Sequence, residues 1–557
     1  MWNSSLAENL LSEEISKNNN VNILYCNSFM NNMCIAHDAQ HKGIFSPKIE
    51  KLKICNDCKN NFLKIKKNPN INYINVDKYI TPDVDKKIEE YALSQKSNDQ
   101  LLNFEFESFK VGKMALYELS LKNKLIKEEL NTNEERAEIV DKIKQIIKFN
   151  HALKKIYSDL NPEVFVTTNG YYYITNFFLQ FGKQRGAKTI SISNSSSYRF
   201  SRNDLKIFHQ HELLDMEIQK SLFHLYKDVY LHKKTLMHAL TNAKSQIKKE
   251  HSHSFSPQYQ GKINIRKKFN IEKNKKIILV VLSSQAEIFS AKNVMAYKFG
   301  ENLNLFKNQI DFLKFLINES IHLENYHFII RTHPRQYSGK ISDEINEINE
   351  LNLSQYKNLS INDPKDKLSP FNFLQDIDLV INSWSTLAVD FGIFGISNIT
   401  VFPDFALYPK ECMNILKNKK DFVQTIKSID KKRSFKLSLL FLKYYQVDKF
   451  FSTISFQKNF FLSKNFSNFF VNAFDKFLFK FFYFKLWNFI KKIKINPIDS
   501  KALDYFLKEK YATFHESKYR ALKESKITSD DFTTNEVFVK NEINSFTKKY
   551  LKFSNFD

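Results

Sequence analysis

The chain has 557 residues, 43% of them apolar and 26% charged, a balance that sustains buried cores and excludes a chain disordered throughout. At ~150 residues per domain the length allows three or four domains or two large ones, enough core to need no disulfide staples. Lysine plus arginine (84) exceed aspartate plus glutamate (60), a net charge of +24 that admits nucleic acid, anionic lipid or phosphorylated compounds as partners without choosing among them.

Residues 1–20 contain Glu8, Glu13 and Glu14 and no apolar run, so no signal peptide is expected. The one uncharged stretch of spanning length, Val164 to Gly182, is interrupted by Thr167-Thr168-Asn169-Gly170 and reads as strand, turn and helix, so no transmembrane span is expected. These readings place the protein in the cytoplasm.

In chain order, Val21 to Tyr25 is a short apolar strand. Residues 82 to 160 are mostly helical, with Pro82-Asp83 as a start signal and apolar residues at helical spacing over 134 to 158. Val164-Phe165-Val166, a helix through Phe178 and the strand Thr189 to Ile192 then follow. Strand, helix, strand is the signature of a parallel α/β unit.

A polar, basic stretch from about Lys249 to Lys268, with Ser256-Pro257, reads as a linker. A second α/β unit follows it. Strands are expected at Ile277 to Leu282, His327 to Ile330, Leu379 to Ile381 and Ile399 to Phe402, and helices at 304 to 321 and Thr386 to Phe394. Two such units leave a cleft in which ligands of open parallel sheets bind.

The segment 431–495 differs. It holds 14 Lys or Arg against Asp448 and Asp475, a net +12, together with 17 Phe. Phe466, Phe470, Phe474, Phe477, Phe481 and Phe484 follow helical spacing, while Phe479, Phe482 and Phe489 lie off that stripe. Helices packed on the α/β units with lysines snorkelling are the favoured reading, and a basic aromatic face on anionic lipid is the other. The expected layout is an acceptor-side α/β domain over 1–255, a nucleotide-binding α/β domain over 270–430, the basic Phe-rich helical segment 431–495, and a polar, peripheral extension over 496–557.

Three sequence features carry chemistry. Arg331-Thr332-His333-Pro334-Arg335 follows directly on an apolar strand; a His between two Arg at a strand's carboxyl end suits phosphate, which Arg can bind through two parallel hydrogen bonds. In Asp378-Leu-Val-Ile-Asn-Ser383-Trp-Ser385-Thr386, a strand ends in small hydroxyl residues that open a helix. Free N–H groups and the helix dipole favour an anion there, although an N-cap is the commoner role for Ser385 or Thr386. Asp390, one turn further on, is placed to meet ribose hydroxyls. Ser283-Ser284-Gln285 after the strand IILVVL is the third feature, again a phosphate-type loop.

Together, RTHPR, DIDLVINSWSTLAVDFGIFG and an apolar strand ending in Pro403 resemble the nucleotide-binding half of bacterial capsule and surface-polysaccharide glycosyltransferases of the GT-B fold. Related patterns occur in Kdo transferases, sialyl- and polysialyltransferases, and CDP-glycerol glycerophosphotransferases. The resemblance covers residues 275 to 405. It implies two Rossmann-like domains facing a cleft, a CMP-, UDP- or CDP-linked donor, and a glycan or lipid-linked glycan acceptor. It also implies donor-phosphate contacts from His333, Ser385 and Thr386, with Arg331, Arg335, Ser283, Ser284 and Ser383 around them and Asp390 at the place of the ribose-binding acid. The family more often has Glu there, and Gly-Lys-Pro where this chain has Gly395-Ile396-Ser397.

Asp83-Val-Asp85 sits at a helix start and Asp376-Ile-Asp378 just before a strand. Neither resembles a metal-holding loop, so transfer without a metal cofactor is expected. Cys26, Cys34, Cys55 and Cys58 lie close together and end in C-x-x-C, which in a reducing cytosol suggests a structural zinc before disulfides. His37 and His41 are available as substitute ligands, and Cys412 stands apart. For the catalytic base, His37, Asp38 and His41 after the first strand and the loop at Asn169 are the candidates, though such residues are more often solvated turn residues.

The expected function is therefore sugar transfer from a nucleotide sugar to a capsule or surface glycan, with the enzyme peripheral on the inner face of the cytoplasmic membrane. Transfer of a polyol phosphate from a CDP-alcohol is the nearest alternative. A basic nucleic-acid-binding or membrane scaffold protein is the alternative of another class. No nucleic-acid partner is expected, because the basic excess gathers in one Phe-rich segment rather than along a recognised binding motif.

Overall fold

The computed structural model describes residues 11–30, 32–38, 40, 42–65, 68–194, 204–208, 220, 223–224, 231–249, 256–294, 303–337, 342–406, 408–429, 433–455, 495–509, 513–525 and 535–556. The strands, in chain order, are β1 Val21–Tyr25, β2 Ile71–Asn75, β3 Val164–Thr168, β4 Lys188–Asn194, β5 Asp204–Phe208 and β6 Lys276–Val281. After these come β7 Tyr326–Arg331, β8 Leu359–Asn362, β9 Leu379–Asn382, β10 Asn398–Thr400, β11 Asn414–Ile415 and β12 Thr453–Ser455. The chain divides into two compact units, the first formed by residues 1–118, 128–212 and 451–526, the second by 119–127, 213–450 and 527–557.

The second unit is built on a six-stranded sheet in the order β11-β10-β9-β6-β7-β8. All its pairings are parallel. A parallel sheet carries helices on both faces, so its strands are apolar on both sides. Accordingly β6 (KIILVV) is buried after its first residue, and every residue of β9 (LVIN) is buried. Phe312, Leu313 and Leu316 of the helix Gln309–Ser320 join β6, β7 and β9 in one core. The carboxylate of Asp378 accepts the N–H of Ile277 at 2.8 Å and pins the start of β9 beside β6.

Strands β6, β7 and β8 progress towards one edge of the sheet, and the chain then returns to place β9 on the other side of β6. That reversal is a topological switch point, and the loops leaving the carboxyl ends of β6 and β9 diverge there. The sheet was expected from the apolar runs, with boundaries within a few residues. The edge strand β8 was not, because LSIN alternates polar and apolar residues.

The first unit departs from the expected Rossmann-like pattern. β1 pairs in parallel with β2 as a two-stranded sheet, while β3 and β4 belong to another sheet in the order β12-β5-β4-β3. There only β3–β4 is parallel; β4–β5 and β5–β12 are antiparallel. The chain between β4 and β5 (residues 195–203) is shorter than the dozen or so residues a parallel crossover needs, so β5 runs back against β4. The long helix Asn133–Leu160 opens with a capping box between Thr132 and Glu135 and buries Ile139, Ile143, Ile146 and Ile147 along one face.

The C-terminal region is not peripheral. Leu503 and Phe506 of the helix Pro497–Lys508, with Phe514 and Ala521 of the helix Phe514–Glu524, pack with Ile190, Ile192, Leu205 and Ile207 in the core of the first unit. The ammonium of Lys188 donates to the carbonyls of Phe506 and Glu509, capping the end of that helix with a cation. Of the segment 431–495, the helix Phe435–Gln446 is packed, with Phe441 and Leu442 fully buried. The Phe stripe at 466–484 lies outside the described residues, and no described helix is long and apolar enough to cross a membrane.

Phe506→Ala is expected to destabilise the protein by about 3–5 kcal/mol, the range for emptying a buried aromatic site. Chemical denaturation checks this; a loss within ~1 kcal/mol would place the C-terminal helices outside the core.

Candidate functional site at the carboxyl edge of the parallel sheet

Register brings three of the sequence features to one level. Val281 of β6 stands opposite Arg331 of β7 and Asn382 of β9. Beyond them the Leu282 N–H donates to the Arg331 carbonyl at 3.0 Å, and the Ser383 N–H to the Val281 carbonyl at 3.1 Å. Ser283-Ser284-Gln285, Thr332-His333-Pro334-Arg335-Gln336 and Ser383-Trp384-Ser385 therefore leave the sheet side by side, at the switch point.

Five buried polar atoms in these loops have no hydrogen-bond partner: Gln285 Oε1, Thr332 Oγ1, Gln336 Oε1, Ser383 Oγ and Trp384 Nε1. Buried polar groups are paired in the great majority of cases, and an unpaired one calls for a ligand, a water or a stored strain. The five include hydroxyls that both donate and accept, an indole donor and two amide acceptors. That mixture suits a ligand carrying oxygens to accept hydrogen bonds as well as hydroxyls or N–H groups to donate them.

The sequence-derived residues fall into different roles. His333 is half-buried, and its Nδ1 accepts the Arg335 backbone N–H at 3.3 Å. With Nδ1 accepting, the ring proton sits on Nε2. Burial chiefly, with Arg335 and Arg331 adding to it against the opposing effect of Glu287, lowers its pKa. His333 is thus a neutral Nε2–H donor at pH 7. The guanidinium of Arg335 pairs with Glu287 at 2.6 Å on a partly exposed surface, an arrangement worth at most about 1 kcal/mol.

Arg331 is differently placed. It is buried, donates to the Asn362 side chain and to the Leu368 carbonyl, and stands over the Phe373 ring. Burial lowers its pKa to about 10. The guanidinium braces β7 against β8, and those partners hold it in the core.

Ser283 exchanges backbone hydrogen bonds with the Gln309 side chain, at 2.7 and 2.9 Å. Ser385 takes the capping role: its hydroxyl accepts the Leu387 N–H at 3.3 Å, while its own N–H donates to Asn382 Oδ1. Thr386 precedes the seven-residue helix Leu387–Ile393, and Asp390 lies within it.

Sequence reading passed over Lys124, Gln309, Gln336 and Glu344. Lys124 follows the helix Val111–Asn123 in the left-handed region at φ +56°, is buried, and donates to the Gln336 carbonyl at 3.1 Å. Lys124, Ser284, Arg335, Gln336, Ser342 and Glu344 line a cavity of about 10 Å³, room for roughly one water. The available signal was Glu344 itself, an acid on the same helix face as Ile345 and Ile348.

In the first unit, His37 is wholly buried, with Nε2 3.3 Å from the Lys51 carbonyl and 3.4 Å from Cys55 Sγ. Burial lowers its pKa. Asp38 ends the short helix Ile35–Asp38, and His41 lies outside the described residues. Asn169, after β3, is left-handed at φ +50°, and its buried Oδ1 has no partner. The electrostatic influence of Cys55 and Cys58 reaches Cys34, and that of Cys34 reaches Cys26. Burial pushes Cys26 up to about 12 and Cys34 up to about 11, so both are thiols at neutral pH. Among the described residues no three His, Cys, Asp or Glu side chains converge as a metal site.

No family model and no curated protein matches the chain. Three solved structures match parts of the chain. The β-Kdo 2,4 transferase of Thermosulfurimonas dismutans KpsC is 11% identical over 50% of this chain and 78% of that one, with a TM-score of 0.31. The UDP-GlcNAc 2-epimerase of Methanocaldococcus jannaschii is 16% identical over 52% and 75%, with a TM-score of 0.27. The wall teichoic acid polymerase TagF is 18% identical over 33% and 40%, with a TM-score of 0.20. Likenesses of this size say nothing of activity.

Ser383→Ala is expected to leave stability within about 1 kcal/mol of the parent, because a hydroxyl without a partner has no bond to lose. Equilibrium denaturation checks this; a larger loss would show that Ser383 Oγ is bonded in the free protein.

Proposed function

We propose that the chain is a glycosyltransferase that binds a nucleotide-sugar donor at the carboxyl edge of β6, β7 and β9 and extends a capsule or surface glycan. The observation that carries this reading is the row of unpartnered polar atoms at the ends of three adjacent parallel strands, beside the switch point. The resemblance of RTHPR and DIDLVINSWSTLAVDFGIFG to GT-B surface-glycan transferases supplies the reaction class.

The acceptor hydroxyl attacks the anomeric carbon of the donor sugar and loses its proton to water; the bond from that carbon to the phosphate oxygen breaks, and the nucleotide leaves with the electron pair. Negative charge grows on the departing phosphate. His333 Nε2–H and the Ser383 and Thr332 hydroxyls are donors that need not reorganise to meet it. Arg335 adds a positive charge at the rim, and Asp390 faces the ribose. No metal cofactor takes part in this scheme. Acceptors bound to lipid are reached from the inner membrane face through the basic Phe-rich segment.

A thermal-shift screen against CMP, CDP, UDP, GDP, their sugar conjugates and CDP-glycerol tests the reading. One nucleotide at 100 times its Kd should stabilise the protein by about 2.7 kcal/mol, and His333→Ala should abolish that shift at unchanged basal Tm. Sugar conjugates shifting the parent identify a glycosyltransferase, and CDP-glycerol alone identifies a polyol-phosphate transferase. No shift with any nucleotide rejects the donor site.

A structural zinc on Cys26, Cys34, Cys55 and Cys58 is a separate proposal, resting on the C-x-x-C spacing alone. Metal analysis of the purified chain decides it. About one zinc per chain supports the site, and a metal-free chain rejects it.

A further inference from the structure

Glu344 lies on the helix Asp343–Glu350, is 2% exposed, and collects three donors. Its Oε1 accepts from Gln309 Nε2 at 2.5 Å; its Oε2 accepts from Gln336 Nε2 and, at 3.4 Å, from the Gln285 backbone N–H. Gln309 in turn grips Ser283 through both of that residue's backbone groups. Gln336 belongs to the turn Pro334–Tyr337 that follows His333, and the Lys124 ammonium holds its carbonyl. One carboxyl therefore joins the loop after β6 to the loop after β7, which the Arg335–Glu287 ion pair also bridges at the surface.

We propose that Glu344 is the positioning residue of this edge: it locks Ser283–Gln285 and His333–Gln336 in one register so that both loops meet the same ligand. This rests on the nucleotide-donor reading for the identity of that ligand, and on the observed hydrogen bonds for the locking itself. Glu344 touches no reacting atom. It acts through Gln309 and Gln336, and truncating it takes the Glu344 partner from one buried N–H of each amide, while Gln309 keeps its bond to the Ser283 carbonyl.

The charge state follows from the surroundings. The groups facing Glu344 are the amides of Gln309 and Gln336, the Gln285 N–H and the Ser342 turn; Lys124 and Arg335 line the adjoining cavity, and Glu347 lies on the same helix. Burial pushes the Glu344 carboxyl up to about 8, opposed by the hydrogen bonds from Gln309 and Gln285. An acid whose folded pKa is raised binds more protons folded than unfolded. The stability it supports is full below the ordinary carboxylate pKa and falls as pH rises from there to about 8.

The experiment compares the full-length parent, Glu344→Gln and Glu344→Ala by hydrogen exchange of residues 282–289 and 332–337, and by titration with whichever of CMP, CDP or UDP stabilises the parent. Glu344→Gln keeps the shape and tests the carboxyl. Both segments should exchange faster in the variants, with β9 and β10 unchanged, and the nucleotide Kd should rise roughly tenfold or more for the lost charge-capable hydrogen bonds. The parent's exchange in these two segments should bend with pH near 8, and the bend should vanish in Glu344→Gln. Equal exchange in parent and variants, or a bend that survives in Glu344→Gln, overturns the proposal. If the parent binds no nucleotide, the donor reading falls, while the exchange data still decide whether Glu344 locks the loops.

Discussion

A parallel sheet covered on both faces has almost nowhere to put a polar group except at the ends of its strands. In the second unit this constraint fixes the place of chemistry before any catalytic residue is considered. β6, β7 and β9 are apolar through their centres, with polar residues at their ends, and their backbone groups are used up in parallel pairing. The sheet order then chooses among the strand ends. The chain runs β6 to β8 in one direction and returns to set β9 on the far side of β6, so the loops after β6 and β9 part and leave a crevice.

Two buried lysines of the first unit show how the described residues satisfy buried charge. Lys142, fully buried, sits between Glu138 at 2.7 Å and Glu118 at 3.2 Å, and Glu118 also accepts the Tyr173 N–H that begins a helix. Lys518 pairs with Asp499 at 2.7 Å and donates to the Thr453 carbonyl of β12. Removing one member of such a pair strands a buried charge at a cost of about 3–5 kcal/mol, so these networks are structural commitments. Unpartnered buried atoms also occur singly elsewhere, as at Asn150 and Asn169, but at this edge five of them gather at three neighbouring strand ends, and that clustering is what supports the proposed site.

The sequence announced the second unit because its signals are local. IILVVL and HFII are too short and too apolar for anything but buried strands, and hydroxyl and basic residues stand directly after them. The first unit was less legible because its sheet is assembled from distant pieces. β12 joins β5 across more than two hundred residues, and β2 reads INYIN, with asparagine at two of its five positions. The C-terminal helices hid their core role because Leu503, Phe506 and Phe514 are few among charged neighbours. Within the site, strand-end residues were visible. Lys124 was not, since it meets Gln336 across 212 positions. Arg331 shows the opposite failure: its motif looked like a phosphate ligand, yet β8 supplies Asn362 as its partner, and β8 was among the strands that sequence pattern missed.

His333 adds a further constraint on how this edge handles an anion. Its Nδ1 is occupied by the Arg335 N–H, and burial works against a second proton. Glu344, with its carboxyl pushed up to about 8, is largely uncharged at pH 7, and Arg331 is held by the core. The edge therefore offers oriented neutral donors, with Arg335 as the positive charge nearest them in sequence. Such an arrangement holds a phosphate by direction more than by net charge. Oriented neutral donors gain strength as negative charge concentrates on the oxygen they face, and on the proposed nucleotide-donor reading that would favour the departing phosphate over the donor from which it leaves.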